Sequence, residues 1–356
     1  MENIEEKKLI KKFFLLLIAT FSFIVLIFEI LLSVFNESIN FKNNFNDYEL
    51  IGVKYKSQFY ELQRKSNHIN NAKPEIILLG SSTLMQANDK ISRDKILMNA
   101  SVAKISFGMM NYLIDKLNYE PEIIIISLDS YLFNKNYVGF GGFKKFTEFT
   151  EKNLITLISF TRLLKERPKV YKDFILDLIK YRNEILNLTK DDFKKYFGFN
   201  AIVLKSGFKK DGSYQYPNFF ILNNIENKNS KNFIMHIEQD NSIYFNKNMN
   251  FDKNFKIKID EILKNKKLLN TKKIFMLSAL YPELVVALKE HNHTNKFYYL
   301  YDNEICKYIN NYKDPKIKCF NFINAVNEYK IKNYRFFDAM HMDENLINLL
   351  VSKVLE

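Results

Sequence analysis

The chain has 356 residues, 47% of them hydrophobic and 26% charged, with a formal net charge of +13. That apolar content is enough for one large α/β domain or two smaller ones, and it excludes a disordered chain. The basic excess is Lys scattered among Asn, Ile, Phe and Tyr; lacking an Arg-rich stripe or a helix-turn-helix pattern, it excludes nucleic acid as the expected partner and suits a solvated surface facing acidic glycans or lipid headgroups.

After "MENIEEKKLIKK", residues 13–35 form an apolar run with Glu29 as its one charge. At about 1.5 Å per residue the run is long enough for a bilayer core of about 30 Å. Lys7, Lys8, Lys11 and Lys12 precede it. The positive-inside rule therefore places residues 1–12 in the cytoplasm and everything after residue 36 outside it. The run is longer than the core of a cleavable signal peptide and no small-x-small site is obvious, so a single-pass, uncleaved anchor in the inner (cytoplasmic) membrane is expected, with the bilayer as a partner. Glu29, about two turns from the outer end, is expected to snorkel or to meet a partner helix.

Residues 36–73 are rich in Asn, Lys and Tyr without a clear period, and predict a polar linker with a lead-in helix. A folded domain, 74–356, begins at Pro74. Its short Ile-rich runs are apolar on successive residues: "EIILLG" (75–80), "ILMNAS" (96–101), "EIIIISLD" (122–129), "KKIFMLSAL" (272–280) and "KIKCFNF" (316–322). Such runs predict strands buried on both faces of a parallel sheet. Helical spacing over 105–119, 295–313 and the final "DENLINLLVSKVLE", with Asp343 near its cap, alternates with them and predicts a three-layer α/β/α domain. Residues 130–265 interrupt the alternation as a mainly helical insertion, with Pro168 as punctuation and a glycine turn around Asp211–Gly212. Its position after the third strand overhangs the crevice where open sheets bind ligands. Two readings stay open: a lid or acceptor-binding region, and a structural elaboration covering the sheet.

Cys306 and Cys319 are the two cysteines; a disulfide and a free buried pair both stay open. The cysteine spacing resembles no metal site, and the histidines, His68, His236, His291, His293 and His341, show no zinc-finger or His-Glu-x-x-His pattern; His291 and His293, two apart in a polar turn, suit a solvated loop better than a metal, and no metal or cofactor is expected.

The chemistry concentrates in two stretches. In "PEIILLGSSTLMQ" (74–86) a buried strand stops at Gly80, whose missing Cβ permits a tight turn, and two serines follow. A serine there is expected at a helix N-terminus, where free N–H groups favour a developing oxyanion. It needs a base, and the base needs an orienter. "YRFFDAMHMDENL" (334–346) offers both: Asp338 and His341 are three apart, and one helical or 3₁₀ turn brings them to one side. Each motif alone is ordinary, the first as a helix cap and the second by chance. Their joint placement, after the leading strand and in the last loop, points to a catalytic triad of Ser82, His341 and Asp338.

"ILLGSSTL" together with "FFDAMHMDE" resembles the SGNH or GDSL hydrolase superfamily in its membrane-anchored extracytoplasmic branch, which includes the acetylation proteins of alginate export and the D-alanyl transfer protein of teichoic acid synthesis. The single N-terminal anchor and "FKKDGSYQYPN" are similar as well. The resemblance spans about residues 74–356 and implies a flavodoxin-like, SGNH-type fold with Ser82 as nucleophile, Ser81 where many members have Asp, His341 as base and Asp338 as its orienter. The chain departs from the pattern twice. The second block normally supplies an oxyanion-hole glycine, and here Ala103 and Lys104 stand in that neighbourhood. The third normally reads Gly-x-Asn-Asp, and here "SLDSYLF" gives Asp129 and Ser130. An ionised Asp129 cannot donate a hydrogen bond. Ser130, a backbone N–H near Lys104 and the N–H of Ser82 are left as oxyanion or substrate-binding donors, with Asp129 positioning the acceptor or a neighbouring loop.

The resemblance implies acyl transfer, of O-acetyl or a similar group, to a cell-envelope polysaccharide, with a polytopic membrane acyltransferase passing the donor across the membrane. Two alternatives stand beside it: an envelope carbohydrate esterase, in which water replaces the sugar, and a non-catalytic SGNH-fold scaffold of the envelope.

Overall fold

A computed structural model describes residues 2–35, 48–54, 58–92, 94–135, 157–217 and 249–356, together with 231, 232, 234, 235 and 237. The chain divides into two compact units, one of residues 1–56 and 155–207, the other of 57–154 and 208–356. Residues 130–265 are thus shared between the two, and the polar stretch 36–73 contributes a strand to the first and a helix to the second.

In the first unit, helix α1 (Glu2–Val34) contains the apolar run. Within Lys11–Val34 an 18-residue window reaches a mean hydropathy of 2.8, and only 6% of that window is buried, unlike a core helix. At about 1.5 Å per residue α1 is long enough to cross a membrane. The hydroxyls of Thr20 and Ser33 donate to the carbonyls of Leu16 (2.9 Å) and Ile30 (2.6 Å), which satisfies them without water. The end of α1 is different: Leu32 and Phe35 are buried against Tyr171 and Phe174 of α4 (Leu157–Lys180) and Phe199, Ile202 and Val203 of α7 (Phe199–Leu204). Pro168 lies inside α4 rather than at its end. Losing one backbone donor is outweighed there by the apolar face that the helix buries two turns on. Between these helices run α5 (Arg182–Leu186) and α6 (Lys190–Lys195), and strand β1 (Leu50–Ile51) pairs in parallel with β5 (Tyr196–Phe197).

The second unit is α/β. Among the described residues its sheet has five strands, β2 (Ile76–Leu79), β3 (Leu97–Asn99), β4 (Ile123–Ser127), β8 (Lys272–Leu277) and β9 (Ile317–Asn321), in the order β3-β2-β4-β8-β9. All four pairings are parallel, with Ile76 opposite Leu97 and Ile123, Ile123 opposite Lys272, and Lys273 opposite Ile317. The five Ile-rich runs supply these five strands because residues apolar on successive positions leave no face for water. Ile124, Ile125 and Ile126 of β4 and Ile274 to Leu277 of β8 are all at most 1% exposed. On the edge strand β9 the pattern relaxes, and Lys318 is exposed.

Helices α2 (Gln58–Ala72), α3 (Phe107–Asp115), α8 (Phe255–Leu263), α9 (Pro282–Glu290), α10 (Asn295–Asn310) and α12 (Glu344–Leu355) belong to this unit, with α11 (Ala325–Glu328) after β9. Short caps set their starts: Ser106 accepts from the N–H of Met109, and Asp343 from that of Leu346. Cys306 of α10 and Cys319 of β9 form a disulfide. The strands β6 (Gly207–Phe208) and β7 (Tyr214–Gln215) flank the Asp211–Gly212 turn. Gly212 has φ +78°, and a Cβ there would stand 2.1 Å from the carbonyl oxygen of Asn99, so no other residue fits that approach.

The chain runs from β2 outward to β3, then returns across β2 to β4 and continues to β8 and β9. The order therefore reverses between β2 and β4, and at such a switch point the loops leaving the carboxyl ends of the two strands part to leave a crevice. The loop after β2 begins Gly80-Ser81-Ser82 and the loop after β4 begins Leu128-Asp129-Ser130.

Candidate active site

Gly80 is set by packing. A Cβ on it would lie 2.7 Å from Cβ of Ser127 and 3.2 Å from Cδ2 of Leu84, so the loop passes close over β4 only because residue 80 has no side chain. No α-helix follows it, contrary to the sequence expectation. Residues 81–86 form a run of turns, with the N–H of Leu84 donating to Ser81 O (3.1 Å), and a 3₁₀ helix appears only at Asp89–Ile91. The competitor is Asn99 at the end of β3. Its side-chain amide donates to the carbonyls of Leu84 and Ala87, both at 2.8 Å, and so takes acceptors that a helix would use.

Asn99 is itself held from three sides. Its side-chain oxygen accepts from the N–H of Ser101 (2.9 Å), its N–H donates to Asp211 O (2.7 Å), and its carbonyl accepts from Lys65 Nζ (3.1 Å). Lys65, on α2, also donates to Gly212 O (3.2 Å). Burial pushes its ammonium down to about 7, against the opposing pull of Glu61.

Asp338 and His341 are brought together by a hairpin-like loop, not by a helical turn. Phe336 and Met342 bridge antiparallel, the N–H of Phe337 donates to His341 O (2.8 Å), and the N–H of Asp343 donates to Arg335 O (3.0 Å). At the tip, Oδ1 of Asp338 accepts from the N–H groups of Met340 and His341, both at 2.8 Å. Its Oδ2 lies 2.7 Å from His341 Nδ1, and His341 Nε2 lies 2.8 Å from Ser82 Oγ. With Nδ1–H donated to Asp338, Nε2 is the nitrogen free to accept the Ser82 hydroxyl.

The relay is sheltered but open at one side: the side chains of His341 and Asp338 are 22% and 27% exposed, and Ser82 is half-buried. Burial alone would lower the imidazole pKa. The hydrogen bond and charge of Asp338, with the charge of Asp129, outweigh that and hold His341 above its ordinary value. Burial would likewise raise Asp338, but its contacts with His341 and the two N–H donors bring it below the ordinary carboxylate value.

Asp129 lies beneath the Ser81–Thr83 turn and is 2% exposed. It accepts hydrogen bonds from Ser81 Oγ and from Thr83 Oγ1 (2.8 Å), the residues on either side of Ser82. Ser278 Oγ, after β8, contacts Thr83 Oγ1 (3.2 Å) and Ser127 Oγ (2.7 Å) and closes the cluster. Burial raises the Asp129 pKa, opposed by these hydroxyls and by the charge of His341.

Ser130 is buried, and its hydroxyl has no hydrogen-bond partner among the described residues. The same holds for Ser101, after β3. Lys104 is exposed in a turn with φ 56°, the left-handed region that favours glycine, and no contact joins its side chain to the triad among the described residues.

No family model, curated protein or solved structure matches this chain. The geometry must carry the functional argument. Sequence reasoning brought Ser82, His341, Asp338 and Asp129 to notice, but not the residues that hold the turn: Lys65, Thr83, Asn99, Ser101 and Ser278. Asn99 and Ser101 stand at the carboxyl end of a predicted strand, the same sheet edge that the loops of Ser82 and Asp129 leave, and that common edge was the available signal. Among the described residues no group of His, Cys, Asp and Glu is arranged to hold a metal ion.

Proposed function

We propose that this protein is an SGNH-type serine acyltransferase anchored in the membrane, with its α/β unit outside the cytoplasm, acting on a cell-envelope glycan. The observation that carries the reading is the unbroken relay Ser82 Oγ to His341 Nε2 (2.8 Å) and Nδ1 to Asp338 Oδ2 (2.7 Å) at the carboxyl edge of a parallel sheet. Counting the sheet strands from one, their order is 2-1-3-4-5, that of flavodoxin-like folds. Lys104, with a backbone suited to glycine, suits the place where the family has an oxyanion-hole glycine, and its N–H serves regardless of the side chain. The N-terminal helix supports an anchor. The disulfide supports an oxidising compartment and hence a domain outside the cytoplasm.

In this mechanism Ser82 Oγ attacks the acyl carbonyl as its proton passes to His341 Nε2, and Asp338 stabilises the imidazolium through Nδ1–H. Collapse of the tetrahedral intermediate expels the leaving group, which takes the proton from His341. A sugar hydroxyl, deprotonated in turn by His341, then attacks the acyl-enzyme, and collapse of the second tetrahedral intermediate releases Ser82 Oγ, to which His341 returns the proton. With water as the second nucleophile the same steps give an esterase. Donor acyl groups would come from a polytopic membrane acyltransferase.

The test is labelling of the full-length protein in detergent with a serine-reactive fluorophosphonate, followed by peptide mass spectrometry. Labelling at Ser82 that disappears in Ser82→Ala and His341→Ala is expected. A folded protein that takes no label would turn the reading toward a non-catalytic scaffold. Release of the acyl-enzyme by oligosaccharide faster than by water separates transferase from esterase.

A further inference from the structure

Helix α4 is apolar on two opposite faces. One face packs on the end of α1. The ring of Tyr171 stacks on Phe28 (4.7 Å), its hydroxyl donates to Glu29 Oε1 (3.0 Å), and Phe174 meets the edge of Phe35 (6.0 Å). The other face carries Ile175, Leu176 and Ile179, which are 41%, 53% and 66% exposed, and Leu186 of α5 is 81% exposed. At about 100° per residue, Ile175, Leu176, Ile179 and Lys172 fall within an arc of about 100° that points away from Phe174. Apolar residues clustered on an outward face mark a surface that meets something other than water.

The neighbouring contacts say what that is. Helix α4 is fastened to the last turns of the apolar run, where a spanning helix leaves the hydrocarbon. Tyr171 stacks on Phe28 and Phe174 meets Phe35, so α4 climbs in the same sense as α1, and the Ile175–Ile179 stripe that follows Phe174 starts level with Phe35, at the headgroup end of that boundary. A surface held at this level lies against lipid. Its charges fit as well: Lys172 is exposed within the stripe and Lys169, Lys180 and Arg182 are exposed around it, and residues 157–207 hold 11 Lys and Arg against six Asp and Glu. Long basic side chains beside an apolar stripe reach headgroups while their stems stay with the chains.

We propose that the Ile175–Leu176–Ile179 face of α4, with Leu186, lies in the boundary between headgroups and acyl chains of the bilayer, as a second attachment beside the anchor. A lone spanning helix leaves rotation about its axis free; a second, interfacial contact fixes which side of the first unit faces the membrane. This inference rests on the reading of α1 as a membrane anchor.

The chain contains no Trp, so each introduced Trp is the sole reporter. Full-length Ile179→Trp and Leu176→Trp, and Phe23→Trp in the middle of α1, are reconstituted in phosphatidylethanolamine–phosphatidylglycerol vesicles with brominated acyl chains. The expected result is quenching at Phe23→Trp, together with blue-shifted emission at both α4 positions that is quenched best by bromine near the carbonyl end of the chain. Quenching at Phe23→Trp with water-like, unquenched emission at both α4 positions overturns the inference, leaves the anchor standing and makes a protein partner the occupant of that face. Absence of quenching at Phe23→Trp removes the anchor reading and the inference with it.

Discussion

Replacing Gly80 by Ala tests whether packing beneath the Ser81–Thr83 turn sets the Ser82–His341 geometry. The new Cβ would meet Ser127 Cβ at 2.7 Å, where an ordinary carbon contact is about 3.5 Å, so the turn must lift by about 0.8 Å. Ser127 sits on a central strand buried on both faces, which leaves the turn as the part that moves. A lift of that size carries Ser82 Oγ from 2.8 Å to about 3.6 Å from His341 Nε2, beyond hydrogen-bond reach. The expected cost is about 1–3 kcal/mol of stability, as for other overpacked sites. The fluorophosphonate labelling rate is expected to fall on the order of 100-fold, the usual consequence of misplacing a reacting group by about 1 Å. Thermal melting and labelling kinetics on the same preparation measure the two effects. Adding Ser127→Gly removes the opposing Cβ and is expected to recover part of both losses. A Gly80→Ala protein that melts lower yet labels at the wild-type rate would refute the reasoning, because the Ser82–His341 contact would then not depend on the turn's height.

Four further outcomes are expected. In the proposed mechanism Ser82 needs a neutral His341, so the labelling rate should rise with pH through an inflection above 6.5; Asp129→Asn removes a negative charge that sustains the raised value and should shift the inflection to lower pH, and an unchanged profile would count against that coupling. The same shift stabilises the fold below pH 6.5, a contribution lost as pH rises through the folded value. Lys104→Gly relieves a left-handed backbone at a net gain of up to about 1 kcal/mol and should leave Ser82 labelling intact; loss of labelling would instead assign a role to the ammonium group. Reducing the Cys306–Cys319 disulfide, which closes a sequence separation of 13, should cost about 3 kcal/mol, and a melting curve indifferent to reductant would show that the link is absent or without effect.

Much of the fold was legible because its signals are local. Strands β2, β3, β4, β8 and β9 lie within the five predicted runs, since an Ile-rich segment with no polar face has few alternatives to a covered parallel sheet. Helices α3, α10 and α12 were legible from their periodicity, whereas α9 was passed over in a stretch of mixed polarity. The expected helix after Gly80 failed for a non-local reason: Asn99 on the next strand claims the carbonyls of Leu84 and Ala87. Pro168 is no boundary because the apolar face of α4 continues past it onto α1.

By itself the sequence determined the length of the N-terminal apolar helix, the strand segments and the three-residue spacing that lets Asp338 hold His341, all of which depend on neighbours along the chain. Only the tertiary structure decided the rest. Ser82 and His341 are 259 residues apart and meet because the strand order reverses between β2 and β4. Asp129, which as a sequence letter only lacks a donor, becomes the acceptor beneath the turn because Ser81 and Thr83 fold over it. Pairings of this kind arise when the sheet closes and the hydrogen bonds of buried polar groups must be met within the protein, a condition no short stretch of sequence carries.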